Sequence, residues 1–114
     1  MSFKRQAHLE DILESISKIE AYKADASLDD LLGDPLRTDA LALNLLVIGK
    51  AVGHILQDLR DHHLNIPWRQ IVGLRNIITH QYFRFDLEII WDVIENELDT
   101  LKLAVQDLQD RTES

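Results

Sequence analysis

The residues between Ile66 and Phe83 read IPWRQIVGLRNIITHQYF, and six of them are unusually polar for a helix that builds a core: Arg69, Arg75, Asn76, Thr79, His80 and Tyr82. Asn76 and His80 are four apart, so on a helix they share a face. Arg75 and His80 are five apart, and on an unbroken helix their directions differ by about 140°. They converge only where the helix ends or bends near Thr79, or where the long Arg75 side chain reaches around. Arginine, asparagine and histidine together suit metal-free cleavage of an RNA phosphodiester. That reaction needs a base for the 2′-hydroxyl proton, a cation for the pentacoordinate oxygens, and an acid for the leaving oxygen. Histidine titrates near neutrality and serves as base or acid. Arginine stays charged and its planar fork matches phosphate oxygens. Asn76 would orient the histidine or donate to phosphate. The plainer alternative is a surface helix with a histidine near its C-terminus, where positive charge is mildly favoured.

The charge distribution points to the same stretch. The 114 residues carry 12 Lys+Arg and 20 Asp+Glu, a formal net charge of −8. Such a balance argues against indiscriminate binding to nucleic acid. Residues 50–85, however, hold five basic side chains (Lys50, Arg60, Arg69, Arg75, Arg84) and two acidic ones (Asp58, Asp61), a local charge of +3 against −11 for the remainder. Four of the five histidines also lie there: His54, His62, His63 and His80. An anionic ligand is expected to meet this segment. The absence of cysteine excludes disulfides, thiolate nucleophiles and cysteine-ligated zinc, and fits a cytoplasmic location. The opening residues are polar and no apolar stretch is long enough to span a bilayer, so neither a signal peptide nor a membrane partner is expected.

Four helices must position these residues. From Phe3 to Tyr22, Leu9, Ile12, Leu13, Ile16 and Ile19 recur at spacings of three and four. Gly33 and Pro35 punctuate the next stretch, where Ser27 to Leu32 suit one short helical turn. Thr38 is an expected N-cap for a second helix carrying Leu41, Leu45, Ile48, Val52, Ile55 and Leu59, ending near His62. Asn65 and Pro67 form a start signal for a third helix running toward His80. Asp86 opens a fourth, with Leu87, Ile90, Trp91, Ile94, Leu98, Leu101, Val105 and Leu108 along one face. No segment alternates with period two. The expectation is an all-α, mostly antiparallel four-helix bundle forming one domain over residues 1–114. The apolar stripes on the second and fourth helices are wide, which favours a homodimer.

Other features have bland readings. Gly49 and Gly53 lie four apart on the second helix, where close helix contact is the expected reason for two costly glycines. His62 and His63 point about 100° apart and no third ligand stands near them in sequence, so a helix-terminal pair is expected rather than a metal site. His54 is expected near the cleft. Trp68 and Trp91 read as core or interface anchors, with base stacking by Trp68 as an alternative.

The segment Arg75-Asn76-Ile77-Ile78-Thr79-His80-Gln81-Tyr82 resembles the signature of the HEPN superfamily, specifically its HepT branch: Arg-Asn, three residues, His, one residue, Tyr. Ile66-Pro67-Trp68-Arg69, Gly73, Asn44-Leu45, Ile48-Gly49 and the opening Leu9-Glu10-Asp11-Ile12-Leu13 are also similar to that branch, so the likeness covers nearly the whole chain. The resemblance implies an all-helical dimer, or a higher even oligomer, and a ribonuclease toxin of a toxin–antitoxin pair, with a metal-independent and cofactor-free site where two protomers meet. It implies Arg75 and His80 as the catalytic pair with Asn76 in support. It also implies Tyr82 as the tyrosine on which an MntA-type nucleotidyltransferase antitoxin places AMP. Arg69, Arg84 and Lys50 would hold the RNA backbone. Leu46 and Lys50 stand where related sequences often carry acidic residues, and Arg84 and Phe85 replace a glycine and a small aliphatic residue. The rival function is a non-catalytic helical module that docks the nucleotidyltransferase or a nucleotide through the same residues.

Overall fold

Leu9, Ile12, Ile16 and Ile19 are at most 1% exposed and form one buried ridge, as their spacing requires. They lie on α1 (Phe3–Lys23) in a computed structural model that describes residues 3–80 and 86–113. The remaining elements are α2 (Leu28–Leu32), α3 (Pro35–Val52), α4 (Gln57–Arg60), α5 (Trp68–His80), α6 (Asp86–Asn96) and α7 (Leu98–Glu113). No strand occurs among the described residues, and the fold is the expected all-α bundle. α3 is the central element, packed against α1 on one side and α5 on the other, while α1 also packs against α7. Its core residues Leu41, Leu45, Ile48 and Val52 are at most 1% exposed.

Local chemistry explains the boundaries. Ser27 and Asp30 form a reciprocal capping box that starts α2, each side chain bonding the other's backbone N–H at 3.2 and 2.9 Å. α3 starts at Pro35, three residues before Thr38, because the Asp34 carboxylate accepts from the Arg37 N–H at 3.1 Å and proline suits the first helical turn. Thr38 is therefore no cap. Its buried hydroxyl donates to the Leu31 carbonyl at 2.7 Å and fastens α2 to α3. The helix also stops sooner than its apolar spacing suggests, at Val52 rather than near His62. His54 and Ile55 turn tightly, bonding back three residues to Ala51 and Val52. Arg60 then reaches back to cap the α3 end, its Nε donating to the Ile55 carbonyl at 3.0 Å and its Nη2 to the Val52 carbonyl at 2.9 Å. The expected fourth helix is interrupted at Glu97, giving α6 and α7, although i→i−4 bonds flank the break at Glu97 and Leu101.

Candidate active site

α5 buries one face and offers the other. Trp68, Ile71 and Leu74 are 8%, 1% and 0% exposed and pack into the core, whereas Arg69, Gln70, Arg75, Asn76 and Thr79 are exposed. The entry to α5 is fixed on two sides. The Trp68 indole N–H donates to the His63 carbonyl at 2.9 Å. The His63 ring, in turn, lies 2.7 Å from the Asp107 carboxylate on α7. Asp107 also accepts from Arg111 Nε at 2.7 Å, and these two hydrogen bonds, that from Arg111 first, hold its carboxyl below the usual carboxylate range. Trp68 is thus an anchor of the core with its N–H engaged, and base stacking has no support from its position.

The middle of α5 is set by Gly49. A Cβ added there would lie 3.0 Å from the Ile71 carbonyl oxygen, 3.4 Å from the Arg75 nitrogen and 3.7 Å from the Arg75 Cβ. The backbones of α3 and α5 approach closely because the side chain is missing, and Arg75 leaves α5 on the side that faces α3. This is the close helix contact expected of Gly49. Gly53 differs: it lies beyond the end of α3, and the atoms nearest its absent Cβ are the carbonyls of Lys50 and Gly49.

α5 continues through Thr79 to His80, and the Thr79 hydroxyl donates to the Arg75 carbonyl within the helix. The bend that would turn positions 75 and 80 toward each other is absent. Arg69, Gly73, Asn76 and His80, at intervals of four, three and four, instead follow one line along the helix. The side chain of His80 lies outside what the structure describes, as do Tyr82 and Arg84 altogether. Lys50 is exposed on α3 but turned away from Arg75. With His8, Asp11, Val47, Ala51 and His54 it lines a separate hollow of about 280 Å³ between α1 and α3. There the His8 and His54 rings stack with centroids 4.2 Å apart. Leu46, one of the departures from the family pattern, is half-buried.

One grouping was not visible in the sequence. A cavity of about 600 Å³ at the start of α5 is lined by Gln57, Arg60, Pro67, Trp68, Arg69 and Gln70. Arg60 and Arg69 are nine residues apart, and only the turn through α4 brings them together. No spacing rule would have paired them.

The arrangement places the cations Arg60, Arg69 and Arg75 on or beside a helix bearing asparagine and histidine. The family profile described as ribonuclease HepT-like matches residues 12–108. A candidate RNase of Methanocaldococcus jannaschii is 32% identical over 101 residues, covering 89% of this chain and 93% of its own. A candidate RNase of Caldanaerobacter subterraneus is likewise 32% identical over 101 residues, covering 89% of this chain and 90% of its own. A HepT ribonuclease candidate of Thermococcus cleftensis is 31% identical over 102 residues, covering 90% of this chain and 93% of its own. No solved structure matches. With a profile that spans α1 to α7 and relatives that align over most of their length, the chain belongs to the HepT-like ribonuclease family.

Proposed function

We propose that this protein is a metal-independent endoribonuclease toxin that acts as a homodimer, with Arg75 of one protomer and His80 of the other serving one cleavage site. The observation that carries the composite site is the unbroken course of α5. Positions 75 and 80 diverge by about 140° on one helix, so the helix does not by itself bring the two positions to a common side. A two-fold axis beside α5 supplies the missing half, because each protomer then offers Arg75 to its partner's His80. At such a site His80 takes the proton from the 2′-hydroxyl or gives one to the leaving oxygen. Arg75 binds the phosphate and stabilises the charge that grows on it. Asn76 orients the imidazole or donates to a phosphate oxygen, and Arg69 and Arg84 attract the RNA backbone, while Lys50, on the hollow between α1 and α3, adds only distant positive charge. AMP placed on Tyr82 by a nucleotidyltransferase antitoxin would silence the enzyme by adding phosphate charge and bulk two residues from His80.

Mixed dimers test this reading. His80→Ala and Arg75→Ala proteins are each expected to lose RNA cleavage, with EDTA without effect on the wild type. Unfolded and refolded together, the two variants form mixed dimers in which one of the two sites holds both native residues. With random pairing, about a quarter of wild-type activity returns. Inactivity of the mixture, with mixed dimers shown to form, places both groups on one chain and refutes the shared site. Undiminished cleavage by His80→Ala alone refutes the catalytic assignment.

A further inference from the structure

We propose that the outer face of α5 is a track for single-stranded RNA, along which the strand crosses the bare backbone at Gly73 and one phosphate away from the cut enters the cavity of Arg60 and Arg69. The proposal rests on the nuclease reading and adds to it the class of substrate and a second point of attachment.

Three observations carry it. First, α5 alone among the described helices bears no carboxylate, in a chain with 20 Asp and Glu. Second, four of the six residues that line the cavity at its start, Gln57, Arg60, Arg69 and Gln70, carry hydrogen-bond donors, and none of the six is acidic. Arg60 is already immobilised there by the Ile55 and Val52 carbonyls, yet those two bonds use only part of the guanidinium. A cation held in place with spare N–H groups meets a phosphate without further ordering. Arg69 is exposed beside it and makes no ion pair with any described residue. The exposed Asp61 carboxylate accepts from the Gln57 amide at 2.9 Å and is not among the residues that line the cavity. Third, Gly73 lies mid-helix, where glycine costs roughly 1 kcal/mol relative to alanine. Among the described residues nothing lies within 4 Å of the position its Cβ would take, so their packing gives no reason for it. It stands between Arg69 and Asn76 on the same line, where a missing side chain lets a ligand approach the backbone closely.

The dimensions fit a strand. From Arg69 to His80 the helix rises about 16 Å, and the two positions differ by only about 20° in direction. A few nucleotides of extended chain cover that length. A duplex is a poorer fit, because it is recognised across grooves rather than along one helix face.

The test uses fluorescence anisotropy with labelled 2′-O-methyl oligonucleotides of two and six nucleotides, which lack the attacking hydroxyl and bind without being cut. The wild type is expected to gain affinity from the longer probe. Arg69→Gln should remove roughly tenfold of that gain and lower the salt slope by about 0.7, one phosphate contact on a single strand. Gly73→Ala should weaken the six-nucleotide probe while raising the melting temperature, so the loss cannot be blamed on misfolding. Unchanged affinity of either variant for that probe overturns the track. A Gly73→Ala protein that becomes monomeric, with binding per chain intact, also overturns it and assigns this face to a second copy. If the wild type shows the length-dependent binding but does not cut the matching RNA, the track stands and the nuclease reading fails.

Discussion

Replacing Gly49 by alanine measures how firmly α3 sets the place of Arg75. The new methyl group would stand 3.0 Å from the Ile71 carbonyl oxygen, and 3.4 and 3.7 Å from the Arg75 nitrogen and Cβ. The first contact is too short by a few tenths of an ångström, and its partner is helix backbone rather than a flexible side chain. Ile71 and Leu74, 1% and 0% exposed, hold α5 down on either side of the contact, so the strain has no easy outlet. Overpacking of this kind costs about 1–3 kcal/mol. Alanine returns at most about 1 kcal/mol through helix propensity, and less here because Gly49 is three residues from the end of α3. The expected net loss is about 1 kcal/mol, or about 4 °C in melting temperature for a chain of this size. The functional effect should be larger than the thermal one. The group displaced is Arg75, and in its proposed role a misplacement of 1 Å costs on the order of a hundredfold in rate. Melting by circular dichroism and RNA cleavage at a temperature where both proteins are folded should show a several-fold rate loss in Gly49→Ala. An alanine variant that is more stable than the wild type and cuts RNA normally would refute the reasoning, because α3 would then not be what positions Arg75.

Further expectations concern the elements around the site. Asp107→Asn should destabilise the protein at neutral pH by removing the acceptor shared by Arg111 and His63. The Asp107 carboxyl titrates lower in the folded chain than in the unfolded one, so between the two values the unfolded state binds more protons and stability rises with pH. The difference between wild type and variant should therefore be full above the ordinary carboxylate range and vanish as pH falls through the folded value, in urea melts at stepped pH. Thr38→Val should cost about 1 kcal/mol in urea unfolding by deleting the buried hydrogen bond to Leu31, while RNA cleavage by the folded protein stays unchanged. Lys50→Ala should alter RNA affinity less than Arg69→Gln, because Lys50 opens on the hollow between α1 and α3 rather than on the α5 face.

The periodic apolar residues of α1 and α7 made those helices legible, since each side chain reports its face through spacing alone. Ser27 and Pro67 gave true signals for nearby helix starts. The start of α3 was misread because Asp34 and Thr38 are both suitable caps, and only the Arg37 N–H distinguishes them. The extension toward His62 followed Ile55 and Leu59, which are buried but belong to the turn and to α4. Within the candidate site, Arg75, Asn76 and His80 stood out by type and spacing. The roles of Gly49 and Arg60 did not, because each depends on a partner brought close by tertiary packing. The His63–Asp107 pair spans 44 positions in the chain and has no local signature.

The sandwiching of α3 between α1 and α5 has a consequence for how the molecule opens. Peeling either neighbour away leaves the other still shielding part of α3, so its backbone amides should be the slowest to exchange with deuterium. Among the described residues α5 packs mainly on α3 and little on α6, so its amides should exchange before those of α3. The most protected helix thus serves as the floor on which the helix of the candidate site rests.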